Sequence, residues 1–133
     1  MTLLNRESIL QADDLPKELV DVPEWGGAVY VRSLTGAERD RFESSMIKQR
    51  GKNQQMNLDN IRAKLAVLTV CDEEGKRIFS SADIDELSKK SAAALDRIFA
   101  VARRLSGLGE DDVKELAEGL KDDPLEDSPS DLL

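Results

Sequence analysis

The spacing of apolar residues changes near residue 34, and this change limits the possible folds more than any other feature of the chain. Between residues 17 and 33 apolar side chains recur at every second position around Gly26 and Gly27, which predicts a β-hairpin with a two-residue turn. Beyond residue 34 they recur every three or four residues, as on one face of a helix. We therefore expect a mainly α fold with a small N-terminal β-hairpin, in the α+β class.

The predicted hairpin, residues 17–33, has a defined register. A two-residue turn at the glycine pair places Val22 opposite Val31, and it places Asp21 opposite Arg32 as an ion pair across the strands. Every second residue then faces the core, and this set consists of valines: Val20, Val22, Val29 and Val31. The hairpin is therefore expected to cover the core with one face and to expose the other.

Helical spacing predicts a short helix over residues 6–12 and further helices after the hairpin, at about 36–49, 58–71, 81–88, 91–106 and 111–120. Thr35 and Glu38 match a capping box at the start of helix 36–49. Helix 58–71, capped by Asn57 or Asp59, has the broadest apolar face and is expected to pack against helix 91–106. The polar segment 51–56, which begins with a glycine, is expected to be a mobile loop.

The net charge of −8 is confined to the C-terminal end of the sequence. Residues 110–133 contain ten acidic residues and two lysines, so the rest of the chain is neutral. We expect residues 1–121 to form a single domain and residues 122–133 to be a disordered acidic tail. Such a tail repels phosphates and anionic lipids, so we expect no nucleic-acid or membrane partner, although an acidic adaptor or inhibitor that mimics nucleic acid is an alternative.

The chain has no histidine and one cysteine, which removes most familiar catalytic and zinc-binding arrangements. Cys71 continues an apolar helical row and is expected to be a buried structural thiol. The acidic turn at residues 72–76 lacks the ligand spacing of a calcium loop, and the chain has no glycine-rich phosphate loop. We therefore expect no enzyme activity, no cofactor and no metal.

The candidate functional residues are those suited to protein contacts. Trp25 and Tyr30, the only tryptophan and tyrosine, share the outer face of the predicted hairpin, where either the N-terminal segment covers them or they form a contact patch. Helix 111–120 has a four-residue apolar stripe formed by Val113, Leu116, Ala117 and Leu120. This stripe either docks on its own domain or binds a groove or helix of a partner.

Four motifs in this order resemble the tail assembly chaperones of long-tailed phages and prophages: VPEWGG at 22–27, SLTGAER at 33–39, DEEGK at 72–76 and LDRIF at 95–99. The resemblance spans residues 6 to about 120. It implies a protein of the bacterial host cytoplasm that binds the tape measure protein, keeps it soluble and helps recruit tail tube subunits. It also implies absence from the mature virion, and self-association is a further possibility.

Overall fold

The computed structural model describes residues 1–50 and 53–108, and all structural statements below refer to these residues. Five α-helices lie within them: α1 (Arg6–Gln11), α2 (Gly36–Ser45), α3 (Ile61–Thr69), α4 (Ile84–Leu87) and α5 (Ala92–Leu105). The strands of the same residues are β1 (Lys17–Val22), β2 (Gly27–Arg32), β3 (Ile47–Arg50), β4 (Asn53–Met56) and β5 (Val70–Cys71). The predicted helix 111–120 and the predicted tail 122–133 lie outside the described residues.

The strands form a three-stranded antiparallel sheet in the order β1-β2-β5 and a separate β3-β4 hairpin. The α+β class is thus confirmed, with more strand than the single predicted hairpin. One face of the three-stranded sheet packs against α5, and α5 packs against α3. The predicted contact between the segments 58–71 and 91–106 is therefore also confirmed.

The register of the first hairpin differs from the predicted one by four residues. Val22 lies opposite Gly27, not Val31, and Val20 lies opposite Val29. The connection is a 3-10 turn over Pro23–Trp25 that ends at Gly26 with φ 78°. Proline donates no hydrogen bond to a strand ladder, so a turn that contains it replaces the expected two-residue glycine turn.

The faces of the hairpin are as predicted, because a shift by an even number of residues keeps every side chain on its face. Val20, Val22 and Val31 are buried, and Val29 packs against the same core from a half-buried position. Burial of each such side chain contributes roughly 1.5–3 kcal/mol. This burial depends on the alternation of apolar residues along the strand and not on the register, so the sequence predicts the buried face but not the register.

The predicted ion pair between Asp21 and Arg32 is wrong. Asp21 lies opposite Ala28, because the register is shifted. Arg32 instead donates two hydrogen bonds of 2.8 Å to the carboxylate of Glu38. The capping box of α2 is confirmed, since Thr35 Oγ1 accepts from the Glu38 amide and Glu38 Oε1 accepts from the Thr35 amide.

The predicted helix 36–49 ends early, at Ser45, and the chain then enters β3. Met46, which is 1% exposed and part of the core, is the C-cap: its amide donates to the main-chain oxygen of Glu43 at 3.1 Å, and its own main-chain oxygen accepts from the Asn57 amide. Residues 53–56 of the expected mobile loop form β4 and pair with β3. The sequences IKQR and NQQM do not alternate between apolar and polar residues, so the sequence pattern does not predict this hairpin.

The predicted helix 58–71 is shorter at both ends, since α3 spans Ile61–Thr69. Its N-cap is Asn60, with no side-chain cap bond, so neither Asn57 nor Asp59 caps it. Asn57 Oδ1 accepts from the Asp59 amide at 3.1 Å and forms a turn before the helix. At the other end, Val70 and Cys71 leave the helix and pair with Val31 and Tyr30 of the sheet.

The remaining helices agree with the sequence. Segment 81–88 contains a 3-10 turn over Ser81–Asp83 followed by α4, with Ser80 as the cap, and segment 91–106 contains α5 with Ser91 as the cap. Cys71 is 3% exposed, which confirms it as a core residue. The fully buried side chains include Phe42, Met46, Leu65, Ile98, Val22, Val31, Val70 and Thr69. No helix among residues 1–50 and 53–108 is long and apolar enough to cross a membrane.

Candidate protein-binding surfaces

The first candidate surface is a cleft beside the turn of the first hairpin, here called the tryptophan cleft. Its volume is about 500 Å³, and it is lined by Glu24, Trp25, Phe79, Asp83, Glu86, Leu87 and Lys90. Trp25, Phe79 and Leu87 supply apolar surface, and the charged side chains supply a mainly acidic rim. An aromatic floor with a polar rim is typical of the anchor pockets of protein interfaces.

Two local structures hold the tryptophan cleft in shape. On one side, the positive φ of Gly26 ends the 3-10 turn and presents Trp25 to the core, against which it packs from a half-buried position. On the other, Ser80 and Asp83 form a capping box, with Asp83 Oδ2 accepting from the Ser80 amide at 2.8 Å. The cleft therefore lies between two turns that are each fixed by local hydrogen bonds.

Arg97 of α5 connects the rim of this cleft to the main body. Its guanidinium donates to both carboxylate oxygens of Glu24, at 2.9 and 3.0 Å, and to the main-chain oxygen of Asp21 at 3.4 Å. The hydrogen bonds from Arg97, helped by the Glu24 amide, lower the pKa of the Glu24 carboxyl to about 2. Glu24 is thus a fixed negative charge at neutral pH.

The outer face of the sheet is a second exposed surface, and it separates the two predicted aromatic contact residues. Leu19, 57% exposed, lies opposite Tyr30. Lys17 Nζ lies 5.4 Å from the centre of the Tyr30 ring. Trp25 is not on this face, because it belongs to the turn and not to a strand. The expectation that Trp25 and Tyr30 share a face is therefore wrong.

The N-terminal segment does not bury its apolar side chains on the rest of the protein. No residue of α1 is buried, although Asn5 and Ser8 form a capping box that fixes the helix. Four apolar side chains in or before this helix are exposed: Leu3, Leu4, Ile9 and Leu10. The tryptophan cleft contains no residue of this segment, so α1 is not its cover.

A third surface, here called the basic cleft, was not recognised from the sequence. It has a volume of about 410 Å³ and lies where α2, α3 and α4 meet. Its apolar lining comes from Phe42, Val67, Leu68 and Ile84, and its charged lining from Arg41, Lys64 and Arg77. These residues lie on α2, α3 and α4 and, for Arg77, in the segment between β5 and α4, so no local sequence pattern brings them together.

The described residues offer little for chemistry. Burial raises the pKa of the Cys71 thiol, which keeps it protonated and unreactive at neutral pH. No group of three or more potential metal ligands occurs in residues 1–50 and 53–108. The remaining predicted contact residues, Val113, Leu116, Ala117 and Leu120, lie outside the described part of the chain.

Comparison with known proteins identifies a family and a solved structure of similar fold. The family model described as phage tail assembly chaperone matches residues 6–118. Among solved structures, the tail assembly chaperone of bacteriophage HK97 shares the fold with a TM-score of 0.54 at 18% sequence identity. The alignment covers 74% of this chain and 94% of that one. No curated protein matches the sequence.

Proposed function

The chain belongs to the phage tail assembly chaperone family, and on this premise we propose that it binds the tape measure protein and keeps it soluble during tail assembly. In the same role it helps to recruit tail tube subunits, acts in the cytoplasm of the bacterial host, and is left out of the mature virion. The observation that carries the proposal is the family match over residues 6–118, most of the chain.

The tryptophan cleft is the proposed site of contact with an apolar side chain of the client. It offers Trp25 and Phe79 as an aromatic floor, and Glu24 as a charge whose position is fixed by Arg97. Tryptophan is strongly enriched among the residues that dominate interface energies. A half-buried tryptophan at an open cleft can bury its remaining surface when a client arrives.

The outer sheet face and the acidic segment, defined as residues 110–121, complete the proposed contact set. Tyr30 contributes from the outer face, and the apolar stripe of the acidic segment contributes Val113, Leu116, Ala117 and Leu120. The negative charge of residues 110–133 would make chaperone-coated clients repel one another, which opposes aggregation. The proposed role requires no catalysis, cofactor or metal, and it leaves room for self-association.

Glu86→Arg tests the tryptophan cleft within the proposed function. Glu86 lines the cleft on α4, so an arginine there places a longer side chain of opposite charge at the rim. When the protein is co-expressed with the tape measure protein, we expect Glu86→Arg to capture less soluble client, with affinity reduced by about tenfold, equivalent to about 1.4 kcal/mol. Purified complexes can be compared by pull-down and by titration.

The neighbouring residue supplies a matched control. Asp85→Arg makes the same change of charge one residue earlier on α4, at an exposed position outside the cleft. This variant should bind client like the wild type. Equal effects of the two substitutions would argue against the cleft as the contact site, and a client that precipitates equally with and without the wild-type protein would refute the chaperone role.

A further inference from the structure

We infer that the basic cleft is the docking site of the protein's own acidic segment, residues 110–121. The cleft combines an apolar floor, which includes Phe42, Leu68 and Ile84, with a rim that is purely cationic. Its charge is opposite to that of the tryptophan cleft, whose rim is mainly acidic. The two clefts therefore select different ligands, and the basic one fits an acidic amphipathic helix.

No residue of the cationic rim forms an ion pair within residues 1–50 and 53–108, although the charge of Arg77 contributes to lowering the pKa of the Glu38 carboxyl. Lys64 Nζ donates to the main-chain oxygen of Ser45 at 3.2 Å, and Arg77 Nε donates to that of Val67 at 3.0 Å. These bonds hold the two side chains in place without cancelling their charge. Neither residue, nor Arg41, pairs with a carboxylate of the described residues. An anionic ligand would gain charge-assisted hydrogen bonds there.

The sequence of the acidic segment complements this cleft. On a helix, Val113, Leu116, Ala117 and Leu120 form one apolar stripe, with the spacing i, i+3, i+4, i+7. One flank of the stripe carries Asp112, which on a helix lies about 90° from the centre of the stripe, and residues 110–121 as a whole contain five acidic residues and two lysines. The stripe would cover the apolar floor of the cleft while this flank faces the rim.

The chain is long enough to reach the cleft from the end of α5. Ser106 Oγ accepts a hydrogen bond of 2.9 Å from the Leu34 amide, so the end of α5 lies beside the start of α2. The cleft lies at the other end of α2, about 15 Å away at 1.5 Å per residue. The five residue steps from Leu108 to Val113 span up to roughly 17 Å when extended. Docking within one molecule is therefore geometrically possible.

Hydrogen exchange of the full chain, with no client present, tests this inference. We expect the amides of Leu116 and Leu120 to exchange on the order of tenfold more slowly than in Arg41→Glu, which reverses one charge of the rim. The matched control is Arg6→Glu, the same substitution on exposed α1, and it should leave the slow exchange intact. Protection should be independent of protein concentration and should weaken in 1 M salt, where the screening length is about 3 Å.

A second variant keeps the inference testable if Arg41→Glu disturbs α2. Leu116→Asp changes only the acidic segment, and it should shift the NMR methyl signals of Leu68 and Ile84 towards those of an empty cleft. Unprotected amides in the wild type, protection that survives Arg41→Glu, or methyl signals that ignore Leu116→Asp would each overturn the inference. Protection that grows with concentration would instead place the segment on a second copy, and would overturn docking within one molecule. Because no client is used, these outcomes are independent of the proposed chaperone function.

Discussion

Two arginine–glutamate pairs in this protein have the same geometry and different surroundings. Arg32 binds both carboxylate oxygens of Glu38 at 2.8 Å, and Arg97 binds both oxygens of Glu24 at 2.9 and 3.0 Å. The side chains of the first pair are 8% and 10% exposed, and those of the second are 38% and 30% exposed. Since the hydrogen bonds between arginine and glutamate are alike in the two pairs, the main difference between the pairs is their burial.

The buried pair holds several segments of the main chain together. The Arg32 side chain also donates to the main-chain oxygens of Ser33, at 2.9 Å, and Gly75, at 3.1 Å. Glu38 closes the capping box of α2. The pair therefore connects three parts of the chain: the end of β2, the turn at Gly75 that follows β5, and the start of α2. The exposed pair connects α5 to the hairpin turn and, through the main-chain oxygen of Asp21 at 3.4 Å, to β1. The two pairs therefore differ in burial and not in the number of elements that they connect.

The largest expected effect comes from breaking the buried pair. Arg32→Met removes the cation and leaves the Glu38 carboxylate buried without its partner, which typically costs about 3–5 kcal/mol. The free energy of unfolding, measured by urea denaturation at neutral pH, should fall by this amount. Arg32→Met combined with Glu38→Gln removes the stranded charge but keeps a cap acceptor, and it should recover part of the loss. A double variant less stable than the sum of its single changes would contradict this account.

A smaller effect is expected in the pH dependence of the free energy of unfolding, to which Glu38 of the buried pair contributes. Burial raises the pKa of Glu38, but the hydrogen bonds from Arg32 and the Thr35 amide outweigh it and leave this pKa below the usual value of 4.5. The unfolded chain then binds a proton at higher pH than the folded chain does. The stabilisation is present above about pH 4.5 and is lost as the pH falls through the folded pKa. Glu38→Gln should therefore show a shallower loss of stability between about pH 5 and pH 3 in urea denaturation. An unchanged slope would exclude Glu38 as a source of acid sensitivity.

The buried pair also shows where prediction from the sequence stopped. Thr35 and Glu38 were recognisable as a capping box because the residues involved are three apart. The sequence pattern instead predicts that Arg32 pairs with Asp21, because a two-residue turn at Gly26 and Gly27 places these residues opposite each other. Proline at position 23 is the signal that could have moved the turn to Pro23–Gly26, since proline favours turns and cannot donate to a ladder. The prediction of which hairpin face is buried is still correct despite the wrong register, because burial of the valines depends only on the alternation of residues along the strands.

The other differences between the predicted and the observed structure also arise from contacts between residues that are far apart in the sequence. Val70 continues the helical spacing of α3, yet it pairs with Val31 in the sheet, and no pattern within 58–71 reports that a sheet edge lies there. Of the candidate site residues, Trp25 does line a cleft, but its neighbours Phe79 and Glu86 come from more than fifty residues later in the chain. The basic cleft is lined by three helices and by the segment that contains Arg77, and it was not predictable from any one of them.

The smallest effect on stability is expected from breaking the exposed pair. The change expected there is in the pKa of the Glu24 carboxyl. Solvent screens this pair, so Arg97→Gln should leave the urea midpoint close to that of the wild type. The Glu24 carboxyl pKa, about 2 in the wild type because of the hydrogen bonds from Arg97, should rise towards the usual value of 4.5. A pH titration of the side-chain carboxyl signal by NMR measures this change directly.

Arg104→Gln is the matched control for Arg97→Gln. Arg104 also lies on α5 and binds an exposed carboxylate, that of Glu18 at 2.8 Å, so its loss should not move the pKa of Glu24. If Arg97→Gln shifts the Glu24 pKa and spares stability, the exposed pair holds the rim of the tryptophan cleft without supporting the fold. If it destabilises the protein as much as Arg32→Met does, burial is not what distinguishes the two pairs, and the tryptophan cleft is part of the structural core.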